Sequence, residues 1–138
     1  MFRLKLVYPT CFYLENDGKY SVDVPDLLGC VTQGVNLAEA IEMAVDAASG
    51  WILNTLENGE KLPEASNLED IILEYDNGIK SYIMLDIDSY AEKYGDNAIR
   101  KNLTIPAWLN TMAEKHNINF SRILQEALQT ELKEYITV

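Results

Sequence analysis

Three side chains that donate or accept hydrogen bonds, Arg100, Asn102 and Thr104, recur at every second position. A period of two puts them on one face of a strand, with Ile99, Leu103 and Ile105 on the other. Lys101 falls on the apolar side and must reach outward from the edge. Other chemistry-bearing residues are sparse. Cys11, Cys30 and the single His116 are too dispersed for a structural zinc site, and no CxxC occurs. The two cysteines read as small, reduced, buried side chains. His116 has no triad or ligand partner nearby in sequence and reads as a helix-end or loop residue. No catalytic residue, metal ligand set or cofactor is assigned.

The elements that would carry this polar face follow directly. Pro106 suits the first turn of a helix. Ile105, Trp108, Leu109 and Met112 then recur at helical spacing, up to a stop near His116-Asn117. Asn119 is a good N-cap for a second helix. Its apolar stripe is Phe120, Ile123, Leu124, Ala127, Leu128, Leu132 and Tyr135. A strand and two helices in about 40 residues are too small to fold alone. A lone strand also needs a partner, and the same strand of a second chain is the obvious one.

Upstream, residues 2–7 alternate as a half-buried strand, and 11–15 form a second short candidate. Asn16-Asp17-Gly18 is a hairpin turn, after which Tyr20, Val22 and Val24 resume the alternation until Pro25. These suggest a three-stranded meander. Asn36 and Glu39 have capping-box spacing ahead of a helix. Leu37, Ile41, Ala44, Val45, Ala48 and Ile52 mark its face, and Asn58-Gly59 its end. Residues 61–67 read as a loop, with Ser66 and Glu69 capping a short helical turn. Asp76-Asn77-Gly78 is another turn. Residues 80–88 then read as a strand covered on both sides, with Ile83, Leu85 and Ile87 opposite Tyr82 and Met84. The polar stretch 89–98 reads as a partly helical connection. The division is therefore 1–88, a linker 89–98, and 99–138.

The chain has 138 residues, 48% hydrophobic and 24% charged, which suits a globular protein and excludes a disordered one. No apolar run is long enough for a membrane span, and the N-terminus does not read as a secretory signal. A cytoplasmic location is expected. The net charge of −11 is unevenly spread. Residues 1–98 carry six bases against 18 acids, a net of −12, whereas residues 99–138 carry five against four, a net of +1. An acidic domain suited to a basic protein is thus joined to a tail able to meet DNA.

Lys101-Asn-Leu-Thr-Ile-Pro106, continued by Asn119-Phe-Ser-Arg122, resembles the ribbon-helix-helix DNA-binding domain. The resemblance implies a homodimer whose paired strands enter the major groove. Arg100, Asn102 and Thr104 would face base edges. Lys101, Asn119, Ser121 and Arg122 would lie at phosphates or flank them, since a helix start attracts anions. Leu103, Ile105, Trp108, Leu109, Met112, Ile123, Leu124 and Leu128 would form the dimer core. A helical dimerisation tail that touches no DNA is the plainer alternative.

Residues 20–40 contain Pro25, Asp26, Gly29, Cys30, Thr32, Gly34, Glu39 and Ala40 in an arrangement similar to the HicB antitoxin family. Leu28 and Val35 depart from its usual pattern. The resemblance implies an α+β fold, with a partial ribonuclease-H-like N-terminal domain (a small antiparallel sheet with a packed helix) and a ribbon-helix-helix tail. It implies binding to a HicA toxin, a small basic ribonuclease, and to operator DNA, as a homodimer or a dimer of dimers. The toxin-contacting residues do not follow by matching. Gly29 and Gly34 are expected to permit unusual φ. The ribonuclease-H-like expectation raises Asp23, Asp26, Asp86 and Asp88 as metal-binding carboxylates, but no base accompanies them, and fold analogy does not carry catalysis. The competing reading is an orphan ribbon-helix-helix regulator with no toxin partner.

Overall fold

The computed structural model describes residues 3–95 and 98–136. Alternating apolar residues build an antiparallel sheet from β1 (Lys5–Leu14), β2 (Tyr20–Asp23), β3 (Val31–Gly34) and β4 (Gly78–Asp86), in the order β3-β2-β1-β4. Helix α1 (Leu37–Glu57) packs on one face. Helix α2 (Ile87–Tyr94) follows β4 directly and contacts α1. Helices α3 (Ala107–Lys115) and α4 (Phe120–Ile136) form the tail.

The two strands expected over 2–7 and 11–15 are one continuous strand, and Phe2 lies outside the described residues. Pro9 does not interrupt it. Pairing with β2 begins only at Cys11, so Pro9 sits where β1 has a strand neighbour on one side alone. The third strand of the meander is β3, which the alternation scan passed over because Val31–Gly34 is short and polar.

The expected stripe of α1 enters the core through its Ala44, Ala48 and Ile52, but not through Leu37 and Ile41. Ala40, Ala44, Ala48 and Ile52 are fully buried, whereas Leu37 and Ile41 are partly exposed. Small residues at four-residue spacing let the helix sit close on the sheet, against Tyr8, Phe12, Val22, Ile83 and Leu85. The capping box is present: Asn36 Oδ1 accepts from Glu39 N at 2.9 Å, and Glu39 Oε1 accepts from Val35 N at 3.4 Å. The helix stops at Asn58-Gly59, where Gly59 has φ 72°.

From 61 to 77 the chain passes the edge of β1 and then straps the second face of the sheet. The Tyr8 hydroxyl donates to Pro63 O at 2.7 Å. The Tyr82 and Tyr13 hydroxyls accept from Leu68 N and Glu74 N at 2.8 and 3.0 Å. The short turn is a 3-10 helix, Leu68–Asp70, preceded by Asn67 without a side-chain cap. Ser66 is not the cap, because its hydroxyl and N–H both go to Asp26. The strap buries Pro9, Cys11 and Tyr13, but Tyr82 and Met84 stay half-exposed. Cover on both sides of β4 is therefore only partial, and Ile87 belongs to α2 rather than to the strand.

The stretch expected to connect the two parts is helical as far as Tyr94, and Asp96-Asn97 lie outside the described residues. Residues 98–106 form no strand in the single chain, which offers them no partner strand. No helix among the described residues is long and apolar enough to cross a membrane.

Candidate functional site

Two regions gather the residues singled out in the sequence. The first is the turn joining β2 to β3 and the helix after it. Val24 N bonds Cys30 O at 3.0 Å, and Cys30 N bonds Leu27 O at 2.9 Å, closing residues 24–30 into a compact turn. Gly29, with φ 79°, allows its reversal. Gly34 serves differently from the expectation, since its φ is not positive. A Cβ there would lie 2.3 Å from Ala40 N, so glycine is needed for close approach to α1.

Asp26 holds this turn to the strap. Its two oxygens accept from Ser66 N at 2.8 Å and Ser66 Oγ at 2.7 Å. Burial, reinforced by the Asp26 carboxylate, pushes the Tyr8 phenol up to about 12. The turn's other side is tied by Trp51 Nε1, which donates to Leu28 O at 3.0 Å.

Of the remaining carboxylates considered for metal binding, Asp86 and Asp88 are engaged in hydrogen bonds within the chain. Asp86 caps α2 by accepting from Ser89 N at 3.1 Å, and pairs with Arg3 at 3.2 Å. The Ser89 N–H bond is the main cause that holds Asp86 below the usual carboxylate range, with the Ser89 hydroxyl and Arg3 adding to it. Asp88 accepts from Leu4 N at 2.7 Å and from Gln129 Nε2 at 2.5 Å. Burial and then the Glu74 carboxylate push Asp23 up. No three such residues converge as a metal site among the described residues. Burial likewise raises both thiols, Cys11 and Cys30.

The domain's surface charge is concentrated. Seven acids, against Lys61 alone, fall between residues 57 and 76, which include the strap. This is the stretch most able to attract a basic partner.

The second region is the tail. Arg100, Lys101, Asn102, Leu103, Thr104 and Ile105 are all exposed in the segment leading to α3. Pro106 stands just before that helix rather than inside it. Trp108, Leu109 and Met112 lie along α3, and Ile123, Leu124 and Leu128 along α4; none is buried. Trp108 is 69% exposed. Asn117, with φ 55°, makes the turn between the helices, where Ile118 N bonds Ala113 O at 3.0 Å. Asn119 caps α4, its Oδ1 accepting from Arg122 N at 3.0 Å. That engagement leaves the N–H groups of Phe120 and Ser121 at the helix start without intrahelical partners. His116 is the C-cap of α3.

Sequence reasoning missed the ties made across long separations. Asp26–Ser66 and Tyr8–Pro63 join residues 40 and 55 positions apart, and Asp88–Gln129 joins residues 41 apart. No local spacing signals such pairs.

Comparison with known proteins places these features. A family model described as HicB_like antitoxin of bacterial toxin-antitoxin system matches residues 8–128. A 14.9 kDa protein from the rep-hol intergenic region of Haemophilus phage HP1 is 36% identical over 104 residues, covering 75% of this chain and 76% of that protein. A chain in a toxin-antitoxin complex from Streptococcus pneumoniae has a TM-score of 0.58 at 26% identity, covering 93% of this chain and 99% of that one. The Burkholderia pseudomallei antitoxin HicB has a similar fold, with a TM-score of 0.54 at 20% identity over 94% of this chain and 98% of its own.

Proposed function

The chain belongs to the HicB-like antitoxin family, and from that premise we propose that it neutralises a small basic HicA-type ribonuclease and represses its own operon. The acidic domain binds and blocks the toxin, with complementary charge steering the encounter. The tail pairs with a second copy through residues 99–105, forming a ribbon that enters the major groove. Arg100, Asn102 and Thr104 then read base edges: Arg favours guanine, Asn favours adenine, and Thr accommodates either. The free N–H groups at the start of α4 take a phosphate, with Lys101, Ser121 and Arg122 beside it. Asn119 acts there by fixing the helix start.

The observation that carries the tail's part of this reading is that α3 and α4 bury none of their residues in the single chain. Two amphipathic helices with open apolar stripes call for a second copy. Leu103, Ile105, Trp108, Leu109, Met112, Ile123, Leu124 and Leu128 are the residues that copy would cover. Residues 1–88 form the toxin-binding part, 89–98 the connection, and 99–138 the dimerising, DNA-binding part.

The test is co-expression with the short reading frame beside the gene. Co-purification of the two proteins, with loss of the partner's RNA cleavage, is the expected result. A partner that does not bind, or cleavage that continues in the complex, would overturn the antitoxin mechanism for this chain. Operator binding that persists in that case would leave an orphan regulator.

A further inference from the structure

Between Tyr94 and Ala107 the described residues form neither helix nor strand. Regular structure there does not fix where the tail stands; contacts with the N-terminal part do. Within α4, the residues partly shielded from solvent are Glu126, Gln129 and Ile136. Spacings of three and seven return to one side of a helix, so these residues share a face. From that face Gln129 Nε2 donates to Asp88 Oδ1 at 2.5 Å, and Ile136 packs against the buried core of the sheet and α1.

Asp88 is held in place to make this contact. Its other oxygen accepts from Leu4 N at 2.7 Å, while Leu4 O accepts from Ile87 N at 3.0 Å. Leu4 itself is buried. The residue just ahead of β1 is thus closed onto the first turn of α2 from both sides. Asp88 cannot swing away without leaving a main-chain donor unpaired. One carboxylate therefore joins Leu4, α2 and α4, through charge-assisted bonds. The face of α4 that meets Asp88 is not its apolar stripe. Phe120, Ile123, Leu124 and Leu128 centre on roughly the opposite side of the helix, and each is exposed. Docking on the N-terminal part and pairing with a second copy use different faces and do not compete.

We propose that Asp88 is a positioning residue: through Gln129 it latches α4 to the N-terminal part, so that the tail and that part move as one unit. On the reading of the tail given above, the latch also fixes where the N-terminal part stands relative to the operator. The latch itself involves neither DNA nor toxin, so its test and the test of that reading fail independently.

The test is small-angle X-ray scattering and sedimentation of the full chain at pH 8, for the wild type, Gln129→Glu, Asp88→Asn and the double variant. Gln129→Glu sets two carboxylates against each other and spares the bond from Leu4 N. Its radius of gyration should rise above that of the wild type, with mass and circular dichroism unchanged. Asp88→Asn should keep the wild-type radius. Its carbonyl oxygen still accepts from Leu4 N, and its amide donates to Gln129 once that side chain's amide is flipped.

Asp88→Asn/Gln129→Glu should return to the wild-type radius, since the amide at position 88 then donates to the carboxylate at 129. A role confined to stability would not produce that rescue. A wild-type radius in Gln129→Glu overturns the latch, and so does a double variant that stays expanded. A change of mass in Gln129→Glu overturns it too, by assigning that face of α4 to contact between copies.

Discussion

Gly34 stands so close to the first turn of α1 that a Cβ on it would fall 2.3 Å from the backbone nitrogen of Ala40. The Thr32-Gln-Gly34 strand and the Glu39-Ala40 helix start are thus two sides of one contact. It seats α1 on the sheet, and Ala40, Ala44 and Ala48 continue the close approach down the helix.

Gly34→Ala should therefore cost about 1–3 kcal/mol, because the atom it meets is backbone and cannot rotate away. Gly29→Ala is a useful contrast. It has open space around its Cβ but a φ of 79°, so its cost is conformational, about 1–2 kcal/mol. Urea unfolding of both variants checks the two mechanisms. Deletion of the Ala40 side chain should not restore Gly34→Ala, since the clash is with main chain.

Asp26→Ala should release the strap from the β2–β3 turn. Two hydrogen bonds to a carboxylate are lost, and the expected destabilisation is about 1–3 kcal/mol. The effect should be local as well as global. Amide exchange at Ser66 should quicken more than in α1, and equal protection at Ser66 in both proteins would contradict the anchoring role.

Asp86 makes stability depend on acid pH. Its folded value is depressed, chiefly by the Ser89 N–H bond, so its contribution is present above the unfolded value, about pH 4. It is lost as pH falls through the lower folded value. Asp86→Asn should lower stability at pH 7, with a gap from wild type that shrinks in acid and closes below the folded value. A gap of constant size from pH 7 to pH 2 would remove the ionised carboxylate from the account.

Asp23 acts in the opposite direction. Burial and Glu74 raise it, so ionisation is disfavoured in the folded state and stability is lost as pH rises from the unfolded value, about 3.9, to the folded one. Asp23→Asn should raise the melting temperature at pH 7 and have little effect well below pH 4. Thermal melts at the two pH values give the comparison.

Arg100→Ala tests the DNA reading. It should weaken operator binding by about 1–3 kcal/mol and relax preference at one base pair, with toxin binding untouched. Lys101→Ala should instead weaken binding to all sequences and lower the slope of affinity against salt by about one. Gel shifts over a salt series separate the two effects, and unchanged affinity in Arg100→Ala would withdraw that residue from base contact.

Much of this architecture was legible in short-range pattern. The Asn36–Glu39 box, the Asn58-Gly59 stop and the Asn119 cap all lie within one turn of the chain they govern, so residue type and spacing suffice. The same holds for α3 and α4, whose apolar periods are clear. The errors arose where tertiary context overrides local preference. Residues 2–7 and 11–15 read as two strands, yet Lys5–Leu14 is one, with Pro9 accommodated because β1 has no second strand beside it at that point. Leu37 and Ile41 read as core along with Ala44, Ala48 and Ile52, yet the core takes Ala40 in their place, because the sheet admits the helix only at close range.

The sequence by itself determined the division into an acid-rich part and a weakly basic tail, the motif between Pro25 and Ala40, and the helices. These depend on composition and on neighbours a few residues apart. Only the tertiary structure decided that Asp26 holds Ser66, that Asp88 receives both Leu4 N and Gln129, and that β4 is left as an open edge. These are outcomes of chain closure over 40 residues or more. At that range many pairings have similar local cost, and the choice falls to the packing of the whole sheet and helix.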